Sequence, residues 1–411
     1  EQGSDFVQII TIDFETFYDK KFSLSKLTTE EYINDTQFQV IGVAVKINHN
    51  ESQWFSGSHE EIKDFLNKFD WHKSLTVAHN AMFDAAILSW HFGIKPRRWL
   101  DTLSLARAVD GVYVSNALKA ACERWDLGKK GTEVLDALGK RREDFTSEDL
   151  AQYGEYCKND CDLTIKLFAE FHNEGITAEE YEAISTTVKM FSEPVLELDV
   201  DLLRLHLSEV VNHKAELMDK AKSNSEILQS NPKFAEALEA LGVLPPMKTS
   251  ARTGKKAFAF AKSDKGLKDL LEHDNPKVQT LVAARLGVKS TLEETRTQRL
   301  INIAERFGAL PVPLRYHAAH TGRWGGSDKI NLQNLPSRGN NVIKRSIIAP
   351  KGYTLIDADS SQIEARVLAW LSGQNDLVRA FANKEDVYKI MAGSIYGKRP
   401  GDITKEERFV G

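Results

Sequence analysis

The chain has little cysteine, no long apolar run and no overall basic excess, and each shortage removes a class of protein. Cys122, Cys157 and Cys161 are too few and too poorly spaced for a disulfide framework or a four-cysteine zinc site, so reduced core thiols are expected. No run of about 18 apolar residues is present to span a bilayer. The opening Glu1-Gln-Gly-Ser lacks the basic-then-apolar pattern of a signal peptide, so a cytoplasmic protein without a membrane partner is expected. His317-x-x-His320 supplies half of a metal site, but no partner ligands cluster near it.

What is present is an ordinary globular composition, 42% hydrophobic and 27% charged over 411 residues, enough for two or three cored domains. The net charge of -5 is unevenly spread. From Lys248 to Arg345 there are 19 Lys and Arg against 8 Asp and Glu, a surplus of +11 that leaves -16 for the remainder. A basic block in an acidic chain suggests a local phosphate-binding surface, although solvated helix faces account for part of it.

Three acidic motifs occupy the first segment. Val7 to Phe17 alternates as a strand does, placing Asp13 and Glu15 on one face about 7 Å apart, where a hard cation such as Mg²⁺ or Mn²⁺ would relieve their repulsion. Further strands are expected at Gln39–Ile47 and Leu75–Ala78, with a helix between them near Glu60–Phe69. His79-Asn80 then opens a helix carrying Asp84 in its first turn, a position that also suits a simple dipole partner. Ser147 to Phe171 reads as a helix in which Tyr156 and Asp160, four apart, share a face while Asp162 points elsewhere into solvent. Asp101, in Trp99-Leu-Asp-Thr, reads equally as a substrate contact or an ordinary strand-end residue.

In this order the motifs resemble the proofreading exonucleases with four acidic residues and a tyrosine. That resemblance implies a ribonuclease-H-like α/β sheet in which Asp13, Glu15, Asp84 and Asp160 hold two divalent ions and Tyr156 orients the attacking water. The implied reaction is hydrolysis at a DNA 3′ end, releasing nucleoside monophosphate.

The middle segment is helical from Glu179 to Ser223. Met247 to Lys262 mixes small and basic residues with Phe258 and Phe260, as a backbone-gripping loop would, or as a surface loop with two phenylalanines tucked into a core. Helices are expected at Asp264–Glu272 and Ser290–Phe307, the second bearing Arg296, Arg299 and Arg306 to track phosphates. The whole suggests a thumb-like clamp on duplex DNA.

Leu355 to Arg366 reads as an apolar strand running into Asp357 and Asp359 and then a helix start. A carboxylate at a strand end can meet a divalent ion and a phosphate; Ser361-x-x-Glu364 equally fits a capping box. Upstream, Asn331, Gln333 and Asn334 suit the minor groove, where every base pair offers similarly placed acceptors, though a plain turn has the same composition. Thr321-Gly-Arg323, Asn331-Leu-Gln333-Asn334-Leu-Pro336 and Asp359-Ser-Ser-Gln-Ile-Glu364-Ala-Arg366, at this spacing, resemble the family A (DNA polymerase I type) DNA polymerases, phage ones in particular.

The resemblance implies that Asp359 is a palm carboxylate for the catalytic metals, with Asp357 the weaker candidate. It implies that Glu364 crowds the sugar 2′ position and that Arg323, Gln333 and Asn334 contact primer and template. Ser360 and Tyr388 depart from the Tyr and His of many relatives. Arg408 fits the Arg of the fingers Arg-x-x-x-Lys, whose Lys is not in the chain, nor is the later His-Asp-Glu palm motif.

The expected organisation is an exonuclease domain over 1–185, a mostly helical thumb-like region over 186–310, and the first part of an α+β palm with the start of the fingers over 311–411. Metal-dependent 3′–5′ exonucleolysis is expected from such a chain. Nucleotidyl transfer on deoxynucleotides is expected only with the missing fingers and palm supplied, for instance by a complementary chain. A bacterial, phage-encoded origin fits the resemblance. The alternative is a non-catalytic DNA-binding subunit that keeps the clamp.

Overall fold

The computed structural model describes residues 8–131, 137–250, 254–288, 292–335 and 341–410, and these form two compact units, one closing at Tyr353 and the other opening at Thr354. Pro336, the centre of the 247–262 loop and the residues flanking 8–410 lie outside the described residues.

The first unit is built on a five-stranded mixed sheet in the order β3-β2-β1-β4-β5. Its strands are β1 (Gln8–Thr16), β2 (Val40–Ile47), β3 (Gln53–Phe55), β4 (Ser74–Ala78) and β5 (Arg98–Asp101). β1 pairs antiparallel with β2 and β2 with β3, while β1, β4 and β5 run parallel. Parallel pairing of β1 with β4 stops at Thr11 and Val77, so the second half of β1, with Asp13 and Glu15, runs on beyond β4. Helices α1 (Thr29–Ile33), α2 (His59–Leu66), α3 (Ala81–Trp90), α4 (Thr102–Val109), α5 (Leu118–Arg124), α6 (Ser147–Asn173) and α7 (Ala178–Ser192) surround the sheet. Val188 and Phe191 of α7 join the core that contains Ile10, Ile12 and Phe14 of β1.

The long α6 starts at a capping box, with Thr146 accepting from Asp149 N and the Asp149 carboxylate returning to Thr146 N, two orphan donors satisfied together. It lies close to the sheet because two glycines flank the Trp54 indole. A Cβ on Gly42 would fall 2.3 Å from Trp54 Cη2, and one on Gly154 would fall 2.3 Å from Trp54 Cδ1. That close approach sets the Tyr153–Asp160 turns of α6 over β1.

Helix α8 (Val200–Lys220) follows the short strand β6 (Glu197–Leu198), so the helical stretch expected over 179–223 is two helices with a strand between them. The middle of the unit adds α9 (Ser225–Gln229), α10 (Asn231–Ala240), the hairpin β7 (Met247–Thr249) and β8 (Lys256–Phe258), α11 (Lys265–Asp269), α12 (Pro276–Val288) and α13 (Leu292–Phe307). Phe260 is buried edge-to-face on Phe234, with Phe258 stacked on Phe260 at 5.0 Å. The core reading of those two phenylalanines therefore holds over the DNA-gripping one.

Three arginines of the basic block are consumed internally. Arg285 is fully buried, donating to the Leu228 and Ser230 carbonyls. Arg299 donates to Thr28 Oγ1 and pairs with Glu31, and Arg306 pairs at 2.7 Å with the buried Glu30. The expectation that α13 tracks phosphates with Arg299 and Arg306 is therefore corrected: both fasten α13 to α1. Asp162 points away from Asp160 but is not simply solvated, since it accepts from Ser52 and pairs with Lys46 at 2.8 Å. The unit closes with β9 (Leu314–Arg315) paired to β10 (Gly325–Gly326), and α14 (Val342–Arg345) leading to β11 (Ile347–Ile348), which pairs with β6.

The second unit contains α15 (Ile363–Leu371), α16 (Asn375–Ala382), α17 (Val387–Tyr396) and α18 (Lys405–Arg408) around Ala369, Ala380, Phe381 and Val387. The strand expected at Leu355–Ala358 is absent. Leu355 and Ile356 are 53% and 83% exposed, and no described residue pairs with them, so their backbone has no ladder to join. The Ser361/Glu364 capping box is absent as well: the residue that caps the start of α15 is Gln362, in the left-handed region at φ 56°, with no side-chain hydrogen bond to the helix.

Candidate active site

Each acidic motif reaches one end of the sheet by its own element. Asp13 and Glu15 project from the part of β1 beyond β4, Asp84 from the first turn of α3, and Tyr156 and Asp160 from consecutive turns of α6. The Asp84 Oδ1 accepts from Phe14 N at 3.1 Å, which fixes α3 against β1 between the two strand carboxylates. Asn80 opens α3 in the left-handed region at φ 68°, and Asp101 accepts from Asn80 N and Ala81 N across the gap between β5 and α3. Asp101 also accepts from Leu103 N and from the backbone and hydroxyl of Ser104. The structural reading of Asp101 fits best: it caps α4 and pins the start of α3.

Further residues complete the cluster. Tyr153 donates to Glu15 Oε2 at 2.6 Å, and the Cys157 thiol donates to the Asp13 carbonyl and to Asp13 Oδ2 at 3.3 and 3.2 Å. Lys130 Nζ stands 2.5 Å from Asp160 Oδ2 and 5.1 Å from the centre of the Tyr156 ring. Tyr153 was legible as the (i, i+3) neighbour of Tyr156 on a helix face. Lys130 was not, since it lies 30 residues from Asp160 in a short Gly-Lys-Lys-Gly stretch with no periodic signal.

The electrostatics show what the cluster lacks within itself. Burial, with the Asp160 carboxylate adding to it, pushes Asp13 up to about 7 despite Lys130 and the Cys157 thiol. Burial followed by repulsion from Asp13 holds both Glu15 and Asp84 well above the usual carboxylate range. For Lys130, burial works against the charge, but the ion pair with Asp160 and the hydrogen bonds to Asp160 and Tyr156 outweigh it and raise the ammonium. Burial first, then Asp160, raises the Tyr156 phenol, which is therefore neutral at physiological pH. Buried carboxylates that repel one another are suited to a multivalent cation.

The donor set fits such an ion. A carboxylate oxygen of Asp13, one of Glu15 and the Cys157 sulfur lie within 4.8 Å of one another. Burial pushes the Cys157 thiol well up, so it stays a protonated donor to Asp13, and the ligands on offer are hard oxygens.

The polymerase-type motifs are placed apart from this cluster in sequence and element. Arg323, Gln333 and Asn334 are exposed on the first unit, where the Asn331 side chain caps the turn Leu332–Asn334 by accepting from Gln333 N. In the second unit Asp359 is exposed in a segment without regular structure, and Glu364 is exposed in the first turn of α15. Arg408 pairs with Asp386 at 2.6 Å and lies over the Tyr388 ring at 5.0 Å, so these two residues adjoin.

The mixed sheet thus gathers four carboxylates with a tyrosine, and a helical segment and the polymerase-type motif set follow it in the chain. Comparison with known proteins gives the family. The model of DNA polymerase family A matches residues 202–410 and that of the 3′–5′ exonuclease matches residues 18–176, so the chain belongs to the family A DNA polymerases and carries their 3′–5′ exonuclease domain. The exonuclease match includes Asp84, Tyr156 and Asp160 and begins just after Asp13 and Glu15. Enzymes of these families use divalent metals.

The chain is 26% identical over 408 residues to DNA polymerase I of Pseudomonas aeruginosa, covering 92% of this chain and 44% of that protein. It is 25% identical to the DNA polymerase of Escherichia phage T5 (75% of this chain, 39% of that protein) and 34% identical over 157 residues to the thermostable DNA polymerase I of Thermus aquaticus (38% and 18%). The chain thus spans less than half the length of these relatives. Among solved structures, the POL domain of Pol1 from M. smegmatis, complexed with DNA primer-template and dNTP, superposes with a TM-score of 0.66 at 19% identity, over 98% of this chain and 65% of that one. That likeness is one of fold. The reading as a non-catalytic subunit is not favoured, because both matching families are enzymes.

Proposed function

We propose that the first unit is a metal-dependent 3′–5′ proofreading exonuclease of ribonuclease-H-like fold, acting on DNA 3′ ends within a family A polymerase. The observation that carries it is the convergence of the half-buried Asp13 and Glu15 with the buried Asp84, Asp160 and Tyr156 where β1, α3 and α6 meet. Asp13, Glu15, Asp84 and Asp160 would hold two Mg²⁺ or Mn²⁺ ions. When bound, such a pair supplies charge stabilisation for the attacking and leaving oxygens of an in-line displacement.

The chain's own residues do the rest. Tyr156 is a neutral phenol that orients the attacking water by hydrogen bonding. Tyr153 holds Glu15, and the Phe14 amide holds Asp84, in fixed rotamers, so the carboxylates meet their ligands without rearranging. As the water oxygen bonds to phosphorus, the bond from phosphorus to the 3′ oxygen breaks. That oxygen leaves with a proton, giving a nucleoside monophosphate and a shortened strand.

Beyond the exonuclease, the reading divides the chain into an exonuclease domain over 1–185, a helical thumb over 186–310 and palm and finger elements over 311–411. Arg323, Gln333 and Asn334 contact primer and template, Asp359 ligates the palm metals and Glu364 selects the sugar. The exposure of Ile356, Leu355, Trp370 and Leu371 supports further palm and finger elements covering this face, from the same protein or a complementary chain, before deoxynucleotides are polymerised. The test is shortening of a 5′-labelled single-stranded oligonucleotide. It is expected to require Mg²⁺ or Mn²⁺ and to stop with chelator or with Asp13→Ala plus Glu15→Ala; persistence in the double variant would sink the assignment.

A further inference from the structure

Lys130 brings a cation into the acidic cluster from a segment outside the three exonuclease motifs. Its ammonium is 2.5 Å from Asp160 Oδ2 and lies 5.1 Å from the centre of the Tyr156 ring. Resting on the exonuclease reading above, we propose that Lys130 is a positioning residue: it holds the Asp160 carboxylate and the Tyr156 phenol in one fixed relation, and so fixes where the Tyr156 hydroxyl meets the reacting water.

The chemistry of the three groups leads there. An ammonium has donors and no acceptor, so Lys130 donates to the Asp160 carboxylate and meets the Tyr156 ring as a cation over a π face. Tyr156 and Asp160 are also (i, i+4) neighbours on α6, the spacing at which helical side chains meet. One cation in contact with both ties the two side chains to a single point, which the helix spacing alone does not do.

The placement is built from the backbone. Gly128 sits at φ 125°, a conformation side chains rarely adopt, and it packs beside Leu163 of α6. The next residue, Lys129, accepts from Asn159 Nδ2 at 3.2 Å through its carbonyl. Asn159 and Leu163 flank Asp160 on α6, so the chain before Lys130 is tied to the same turn that its side chain reaches. Ordering a lysine costs up to about 2 kcal/mol of rotamer freedom, which the ion pair with Asp160 and the contact with the Tyr156 ring must offset together. A merely structural ion pair would pin this segment to α6 with the same contacts, and the difference between the two roles is kinetic.

The experiment compares the whole chain with its Lys130→Met, Lys130→Arg, Tyr156→Phe and Lys130→Met/Tyr156→Phe variants on a single-stranded oligonucleotide. It reads kcat and KM in saturating Mg²⁺, and Mn²⁺ affinity separately by paramagnetic resonance. Lys130→Met should lower kcat about 100-fold, the scale of a mispositioned reacting group, with KM and Mn²⁺ affinity within about threefold. Lys130→Arg should recover about tenfold of that loss. The double variant should lose little beyond Tyr156→Phe alone, because the two residues act as one unit.

A Lys130→Met enzyme within about threefold of wild-type kcat would overturn the proposal, as would losses in the double variant that multiply in full. If Lys130→Met does not fold, the cycle of Lys130→Arg with Tyr156→Phe is judged by the same non-additivity. A wild-type chain that leaves the oligonucleotide intact overturns the exonuclease reading and this role with it, whereas an active wild type with unaffected lysine variants overturns this role alone.

Discussion

Replacing Asp13 with Asn should make the protein more stable while it abolishes hydrolysis. The Asp13 carboxyl is raised from 3.8 to about 7 by burial and by Asp160. A carboxyl whose folded value lies above its unfolded value binds its proton more tightly in the native state, so native stability falls as pH climbs from 3.8 toward 7 and the loss is complete beyond it. A shift of about three units, at about 1.4 kcal/mol each, corresponds to about 4 kcal/mol above pH 7 and to less than about 1 kcal/mol at pH 4. Asn keeps the shape and can still accept from the Cys157 thiol, and its neutrality also lowers the repulsion that raises Glu15 and Asp84. Burial pushes His79 down to about 4, which makes stability rise with pH over much the same window, but that effect is common to both proteins and cancels in the difference. The assay is urea unfolding of the full chain in chelator at pH 4, 5.5 and 8. Asp13→Asn should gain several kcal/mol at pH 8 and almost nothing at pH 4. A variant no more stable than wild type at pH 8, or a gain that does not change with pH, would refute the electrostatic account of the cluster.

Other perturbations address the supports of the site. Replacing both Arg299 and Arg306 with Ala leaves the buried Glu30 without its cations and should cost about 3–5 kcal/mol in the same unfolding assay, where a loss under about 1 kcal/mol would return these arginines to a phosphate-facing role. Gly154→Ala puts a methyl into the Trp54 ring, so it should cost about 1–3 kcal/mol and depress exonuclease kcat by lifting α6 from β1; unchanged kcat would show that α6 does not need that close approach. Phe260→Ala opens a cavity beside Phe234 and should destabilise the protein by about 3–5 kcal/mol, while oligonucleotide hydrolysis at low temperature stays within about twofold; a selective loss of DNA binding without destabilisation would favour the gripping-loop reading.

The exonuclease elements were readable from the sequence because each announces itself locally. Alternation marked β1, the Ser147–Phe171 periodicity marked α6, and the (i, i+4) rule put Tyr156 and Asp160 on one face before any contact was known. What stayed hidden depends on tertiary partners. Lys130 reaches Asp160 across 30 residues, and Arg299 reaches Glu31 across 268, distances over which no pattern in the chain carries information. The basic block was the clearest casualty. Counting charge gave its sign correctly, but a count cannot separate an arginine facing phosphate from one sealed against Glu30 or buried on the Leu228 carbonyl.

The expected strand before Asp359 failed for a related reason that also bears on how the palm motif works. Leu355 and Ile356 have the β propensity of a strand, yet propensity in a sheet is largely the fit of side chains to neighbours, and among the described residues none pairs with them as a strand. The exonuclease carboxylates differ on this point. Asp13 and Glu15 sit on a strand paired on both sides along part of its length, and Tyr153, Cys157 and the Phe14 amide fix the cluster around them. Asp359 has an exposed setting with no strand beneath it, so nothing in its own segment fixes the carboxylate as β1 fixes Asp13 and Glu15. On the reading proposed above, the two acidic sites differ in preparation: the carboxylates around β1 are preorganised within their own unit, and Asp359 would become so with strands paired to Leu355 and Ile356.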